Sequence, residues 1–325
     1  QLNNCFLYYS VLTLRPIKSM ATSLYKSQSK STDNIIRQSF KAFLELTKAR
    51  LAISVVFSSL AGYLIALDTY DISVIILLVL GGYCMVGASN SFNQIIEKDL
   101  DALMDRTKNR PIPSGRTSVS SAFILSVLLT LIGTVALYKI NAKTALFGAI
   151  SIFIYTCMYT PLKTKTPLSV FVGAFPGAIP FMLGWVAATN NFGIEAGTLF
   201  AIQFFWQFPH FWALGWMLHD DYKKAGINML PTKKKDKATA LQTILYTIWM
   251  IMISLLPLSG LTGDLHLSIF SAFLIGLVGL VMLYYSINLY NQMSTNAAKK
   301  LFNSSIFCLT LIQIIYVIDN IYIWI

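Results

Sequence analysis

Charge is what this sequence has least of. Asp, Glu, Lys and Arg make up 12% of its 325 residues, and 55% are hydrophobic. A soluble domain usually carries about 25% charged residues, so the chain is expected to have lipid as its solvent. Histidine is scarcer still, with three residues. Cys5, Cys84, Cys157 and Cys308 are scattered, without CxxC or metal-ligand spacing. No disulfide framework is indicated, and the three within apolar runs are expected to be buried free thiols. Acidic residues number 14 against 25 Lys and Arg, a net charge of +11. In a membrane chain that surplus points to orientation and anionic ligands before it points to nucleic acid, which is not expected as a partner.

What is present is long apolar runs, and the mean hydropathy is +0.62. Spanning a bilayer takes about 20 apolar residues. Nine segments qualify, roughly 50–68, 72–95, 119–138, 143–161, 168–189, 194–218, 239–259, 264–288 and 301–318, bounded by Gly, Pro, Asn or charge. The fold class expected is an all-α polytopic membrane protein of nine transmembrane helices. Pro176, Pro180 and Pro209 predict kinks in the fifth and sixth.

Basic residues then set the topology. Lys98, Arg106, Lys108, Arg110 and Arg116 lie between spans two and three, and Lys163 and Lys165 between four and five. Lys223, Lys224, Lys233, Lys234, Lys235 and Lys237 lie between six and seven, and Lys299 and Lys300 between eight and nine. The opposite loops hold only Lys139 and Lys143. This asymmetry orients the chain and supports the parity of the helix count. Residues 1–41 set Arg15, Lys18, Lys26, Lys30 and Arg37 against the single acid Asp33, among many Ser and Thr. That composition predicts a mitochondrial transit peptide or a disordered leader, with residues 42–325 as the transmembrane domain. The basic side would then be the matrix side of the mitochondrial inner membrane.

The scarce acids are concentrated. Asn93, Glu97, Asp101 and Asp105 fall four apart in NQIIEKDLDALMDRTKNR, residues 93–110. Four residues advance a helix by about 400°, so these oxygens form one slowly turning stripe, with Asp99 on roughly the other face. Converging carboxylates raise one another's pKa, and a divalent cation removes that penalty. Mg²⁺ suits a few carboxylates shared with phosphate oxygens. The run RTKNRPIPSGR supplies Arg106, Lys108 and Arg110 as donors for such a phosphate. The alternative is a solvated loop of i,i+4 ion pairs.

A second acid-rich segment ends the sixth span, with Asp220 and Asp221 followed by Lys223 and Lys224. The pairing on one side suggests two clamps facing one diphosphate. His210 lies inside that span, where ionisable groups face a cavity or another polar group; a hydrogen-bonded interior histidine is the plainer reading. The aromatics around it (Phe204, Phe205, Trp206, Phe208, Phe211, Trp212) read as packing or lipid-facing groups rather than a cofactor wall. His266 receives no functional reading. A polytopic carrier is the rival class, although no inverted repeat is evident.

Asn93, Glu97 and Asp101 resemble the NxxxDxxxD pattern of the intramembrane UbiA-type prenyltransferases, with Glu97 at the first acidic position. LTKAR (46–50), DRTKNRPIPSG (105–115), YTPLKTKT (159–166), GAFPGAIPFMLGW (173–185), WQFPHFWAL (206–214) and DDYKKAGINMLP (220–231) are similar, in order, to the branch that farnesylates protohaem IX. The likeness covers roughly residues 42–320. It departs at Ala49, where Pro is usual, and at Thr164, where a second basic residue is usual.

The resemblance implies a helical bundle around an intramembrane cavity. It also implies transfer of the farnesyl group of farnesyl diphosphate to the vinyl group of haem b, making haem O for haem A and cytochrome c oxidase. Mg²⁺ would be held by Asn93, Glu97, Asp101, Asp105, Asp220 and Asp221, and the diphosphate by Arg106, Lys108, Arg110 and Lys163, with Lys48 and Arg50. His210 would act as haem ligand, propionate partner or proton carrier. The partners implied are farnesyl diphosphate, haem b, the lipid bilayer and haem A synthase. A UbiA-type enzyme with an aromatic, quinone-precursor acceptor is the other enzyme reading.

Overall fold

The computed structural model describes residues 37–66 and 69–323; the leader expected over 1–41 lies mostly outside them. The chain divides into two units, residues 1–45 and 46–325. The described part of the first belongs to helix α1, Arg37–Leu46. The second is all-helical: α2 (Ala49–Ile65), α3 (Ile72–Ile96), α4 (Lys98–Leu103), α5 (Val119–Ile140), α6 (Ala142–Phe153), α7 (Thr160–Leu162), α8 (Ser169–Thr189), α9 (Ile194–Met217), α10 (His219–Lys224), α11 (Lys237–Leu255), α12 (Ile269–Gln292) and α13 (Thr295–Ile323). A π-helical stretch, Ile154–Tyr159, joins α6 to α7.

The nine expected segments correspond to α2, α3, α5, α6 through α7, α8, α9, α11, α12 and α13. Helix starts follow local cap chemistry. Ser118, Asn141, Asp236 and Ser268 each accept the N–H three residues on, at 3.0, 2.8, 2.8 and 3.2 Å. The Asp71 carboxylate accepts Ser73 N–H at 2.7 Å.

Seven helices are each long and apolar enough to cross a bilayer, or eight spans if α1 and α2 act as one. Taken alone, α2 has 17 residues. Helix α9 falls short on composition, because it carries Glu195, Gln203, Gln207 and His210. It is sheltered by packing against α8, α11 and α13.

Helix α8 is the core of the bundle: 78% of its apolar window is buried, against 28–39% for the other six. It crosses α2 backbone on backbone. A Cβ on Gly62 would fall 2.0 Å from Phe181 O, and one on Gly184 1.9 Å from Ser59 O. Small residues permit such contact where lipid supplies no hydrophobic drive between helices. Pro176, Pro180 and Pro209 all lie within continuous helices.

Two expectations are corrected. Lys299 and Lys300 belong to the start of α13 rather than to a loop. Cys157 is an exposed thiol, whereas Cys84 and Cys308 are buried as expected; the π-helical stretch turns Thr156 and Tyr159 inward and leaves Cys157 on the outer face.

Candidate active site

The polar end of α3 turns inward. Asn93 is 1% exposed, Glu97 4% and Asp101 0%. Glu97 stands at the break between α3 and α4, yet the helical spacing survives it. Glu97 N–H bonds Asn93 O at 2.9 Å and Asp101 N–H bonds Glu97 O at 2.7 Å. The stripe ends there, because α4 stops at Leu103 and Asp105 lies exposed in the following turns. Asp99 is exposed, as its phase predicts.

Those turns bring the basic run back onto the stripe. Thr107 N–H bonds Met104 O, Arg110 N–H bonds Thr107 O, and the Thr107 hydroxyl donates to Asp101 O at 2.8 Å. One guanidinium nitrogen of Arg110 then reaches both Asp101 carboxylate oxygens, at 2.8 and 2.7 Å. From the other side Lys163 Nζ lies 2.8 Å from Glu97 Oε1 and 4.5 Å from the centre of the Tyr159 ring. That Glu97 contact is an ion pair without hydrogen-bond geometry, and Glu97 Oε1 has no hydrogen-bond donor.

Lys48 completes the group. It precedes α2 in a left-handed conformation (φ 49°, ψ 57°), and its charge acts on Arg110, Lys163, Glu97 and Asp101. The residue is half-buried. Burial first, then Arg110 and Lys163, push its pKa down to about 7. Three cationic side chains thus surround two carboxylates, an arrangement that favours an anionic ligand.

The second acidic segment meets the first, but by a different chemistry. Asp221 accepts the backbone N–H groups of Asp105 at 2.9 Å and Arg106 at 3.3 Å. Lys224 bonds Asp105, and Lys108 reaches Asp105 at 2.8 Å. Lys108 and Lys224 hold the Asp105 carboxyl down at about 2. Burial pushes Asp221 up, but the two backbone donors and Lys224 outweigh it, so its pKa lies below the ordinary carboxylate value. Asn228 N–H adds a bond to Lys163 O at 3.1 Å. The α10 segment therefore clamps the loop after α4 and the loop that carries Lys163.

The predicted residues separate accordingly. Asn93, Glu97, Asp101, Arg110, Lys163 and Lys48 converge. Asp105, Asp221 and Lys108 form an outer ion-pair layer. Asp220 is exposed and paired with Lys235 at 3.2 Å. Arg50 and Arg106 are exposed, and only the backbone of Arg106 takes part. Among the described residues no three His, Cys, Asp or Glu side chains stand around one point, so the six-ligand set does not assemble. The inner donors still fit a magnesium ion shared with a diphosphate. Such an ion takes one or two carboxylates, with substrate oxygens completing its shell, and Glu97 Oε1 is a buried oxygen paired with Lys163 outside hydrogen-bond geometry.

His210 sits between the Trp206 and Phe302 rings, each centred 4.6 Å away. Its Nδ1 lies 2.8 Å from Ser305 Oγ, whose single hydrogen goes to Phe302 O at 2.7 Å. In the tautomer that donates from Nδ1 to Ser305 Oγ, Nε2 is the basic nitrogen. The other aromatics pack on one another and on Tyr246 of α11, as in Phe204–Phe208 at 5.1 Å and Phe208–Tyr246 at 4.4 Å.

Sequence reasoning missed Thr160, whose hydroxyl accepts from Asn93 Nδ2 at 3.2 Å. It also missed Asn90, which donates to Thr47 O at 3.2 Å, and the Asp221 clamp. Asn90 was within reach, since the last turns of α3 carry an unusual density of amides for an apolar helix.

Fold and site together define a multi-pass membrane protein with a buried acid–base cluster at one end, suited to an anionic substrate. A family model described as the UbiA prenyltransferase family matches residues 55–311. The chain belongs to that family, and is a prenyltransferase. It is 63% identical over 288 residues to the protoheme IX farnesyltransferase of Flavobacterium psychrophilum, covering 88% of this chain and 96% of the relative. It is 64% identical over 278 residues to that of Christiangramia forsetii, covering 86% and 93%.

Among solved structures, digeranylgeranylglyceryl phosphate synthase superposes with a TM-score of 0.72 at 20% identity, covering 87% of this chain and 99% of the other. A UbiA homologue from Archaeoglobus fulgidus bound to GPP and Mg²⁺ gives 0.65 at 15% identity, covering 86% and 99%. These two share the fold. The relatives at 63% and 64% identity are bacterial, and they lend no support to a mitochondrial address.

Proposed function

We propose that this chain transfers the farnesyl group of farnesyl diphosphate to the vinyl group of haem b, giving haem O, with Mg²⁺ as cofactor. The observation that carries this reading is the buried lattice of Glu97–Lys163 and Asp101–Arg110 beside Lys48, in a chain more than 60% identical to proteins named for that reaction.

Lys48, Lys163 and Arg110 bind the diphosphate oxygens and stabilise the negative charge that develops as the allylic C–O bond breaks. Magnesium bound by Asn93, Glu97 and Asp101 together with the diphosphate would supply further charge neutralisation on the leaving group. The bonding electron pair leaves with the diphosphate, and the farnesyl cation is held among apolar helices away from water. The vinyl π electrons form the new C–C bond at the terminal carbon. Water then adds at the neighbouring carbon and gives up one proton. His210 serves the haem end through Nε2, as iron ligand or as acceptor of that proton; a Soret band unchanged by His210→Ala argues against ligation.

The basic loops would face the cytoplasm in a bacterial membrane, by the positive-inside rule. A mitochondrial matrix orientation would give the same geometry. Haem A synthase would take the product. Purified protein in lipid nanodiscs, given farnesyl diphosphate, haem b and Mg²⁺, should release diphosphate and form haem O by mass. Prenylation of a quinone precursor in place of haem, or no diphosphate release, would overturn the reading.

A further inference from the structure

We infer that Thr160 is a positioning residue, held by a π-helical turn, that presents the Asn93 carboxamide oxygen to the site. The inference rests on the proposed role of Asn93. Pro161 has no N–H to continue an α-helix, and immediately before it the chain widens into the stretch Ile154–Tyr159. The Thr160 N–H reaches back five residues to Tyr155 O, and its hydroxyl donates to the same carbonyl at 2.8 Å. Such bulges often mark functional positions.

The geometry then dictates the tautomer-like choice at Asn93. A hydroxyl has one hydrogen, and here Tyr155 O takes it. Toward Asn93, Thr160 Oγ1 can only accept, so the group facing it at 3.2 Å is the amide NH₂. The carboxamide oxygen is turned away from Thr160 and makes no hydrogen bond among the described residues. The same wide turn aims Lys163 at Glu97 and under the Tyr159 ring. Tyr159 is itself seated against Gly173, where a Cβ would lie 2.6 Å from its ring. Two adjoining groups on α3 are thus oriented by one irregular turn.

The test uses Mn²⁺ as a spectroscopic substitute for magnesium, with farnesyl thiodiphosphate, a slow analogue, on the full chain in nanodiscs. Free Mn²⁺ is read by electron paramagnetic resonance. Thr160→Val, which keeps the shape and removes the hydroxyl, should weaken Mn²⁺ binding by about 10- to 100-fold, the usual effect of losing an outer-shell partner. Thr160→Ser should restore binding to nearly the wild-type level. On an Asn93→Ala background, Thr160→Val should add little, because the two act through one contact. Wild-type affinity in Thr160→Val overturns the inference, as does a Thr160→Ser protein as weak as Thr160→Val. Absence of diphosphate-dependent Mn²⁺ binding in the wild type would overturn both the inference and the metal reading beneath it.

Discussion

Acidic side chains at the two ends of the bundle are satisfied in opposite ways. At the basic end, Glu97 and Asp101 are held by Lys163 and Arg110. At the other end, Asp319 accepts Ser268 N–H at 2.9 Å and the Ser268 and Ser271 hydroxyls, tying α13 to the start of α12. Glu195 there accepts Asp264 N–H at 3.2 Å, beside Gly263, whose φ of +61° and lack of a Cβ let the loop pass. Neutral donors and helix N-termini fix a carboxylate without leaving charge to trade. Cationic partners can be shared with an arriving phosphate. The basic end serves the chemistry, the far end the fold.

The comparison breaks most sharply at Asp101. Asp101→Asn should lower haem O formation by about 10²- to 10³-fold, the range for loss of an electrostatic stabiliser, while the protein still inserts; a product assay on membranes with matched protein levels decides. Lys163→Met should follow, because it strands Glu97 in a buried site. Breaking a buried pair costs about 3–5 kcal/mol, read as a lowered unfolding temperature. Adding Glu97→Gln should recover stability and leave activity lost.

At the far end, Asp319→Ala should cost about 1–3 kcal/mol of stability through unpaired donors, with turnover per folded molecule unchanged. Equal loss of turnover would erase the distinction between the ends. A smaller effect is expected at Lys48. At pH 8 its ammonium, with a pKa pushed down to about 7, is mostly neutral, and a bound diphosphate raises that pKa. Binding should therefore take up a proton, seen by calorimetry in buffers of different ionisation heat and lost in Lys48→Met. The smallest effect is expected for Asp220→Asn, in the solvent with Lys235, where activity should stay near wild type.

The helix plan was legible because span length and cap residues are local quantities. Asp71, Ser118, Asn141, Asp236 and Ser268 mark their helix starts in the sequence itself, and the period of four carried Asn93, Glu97 and Asp101 to one face. The same period misled at Asp105, because it cannot foresee that the helix stops at Leu103. It could not tell Asp221, spent on two backbone amides, from Asp220, left in solvent. Thr160 stayed hidden because its partner lies 67 positions away.

By itself the sequence determined that the chain lives in lipid and which few polar groups must share an end. Hydropathy and charge asymmetry are summed over residues and need no neighbours. Which carboxylate meets which cation was decided only by the tertiary structure. Partners nine residues apart, as with Asp101 and Arg110, or 66 apart, as with Glu97 and Lys163, are set by loop closure and helix packing, and those depend on the whole chain at once.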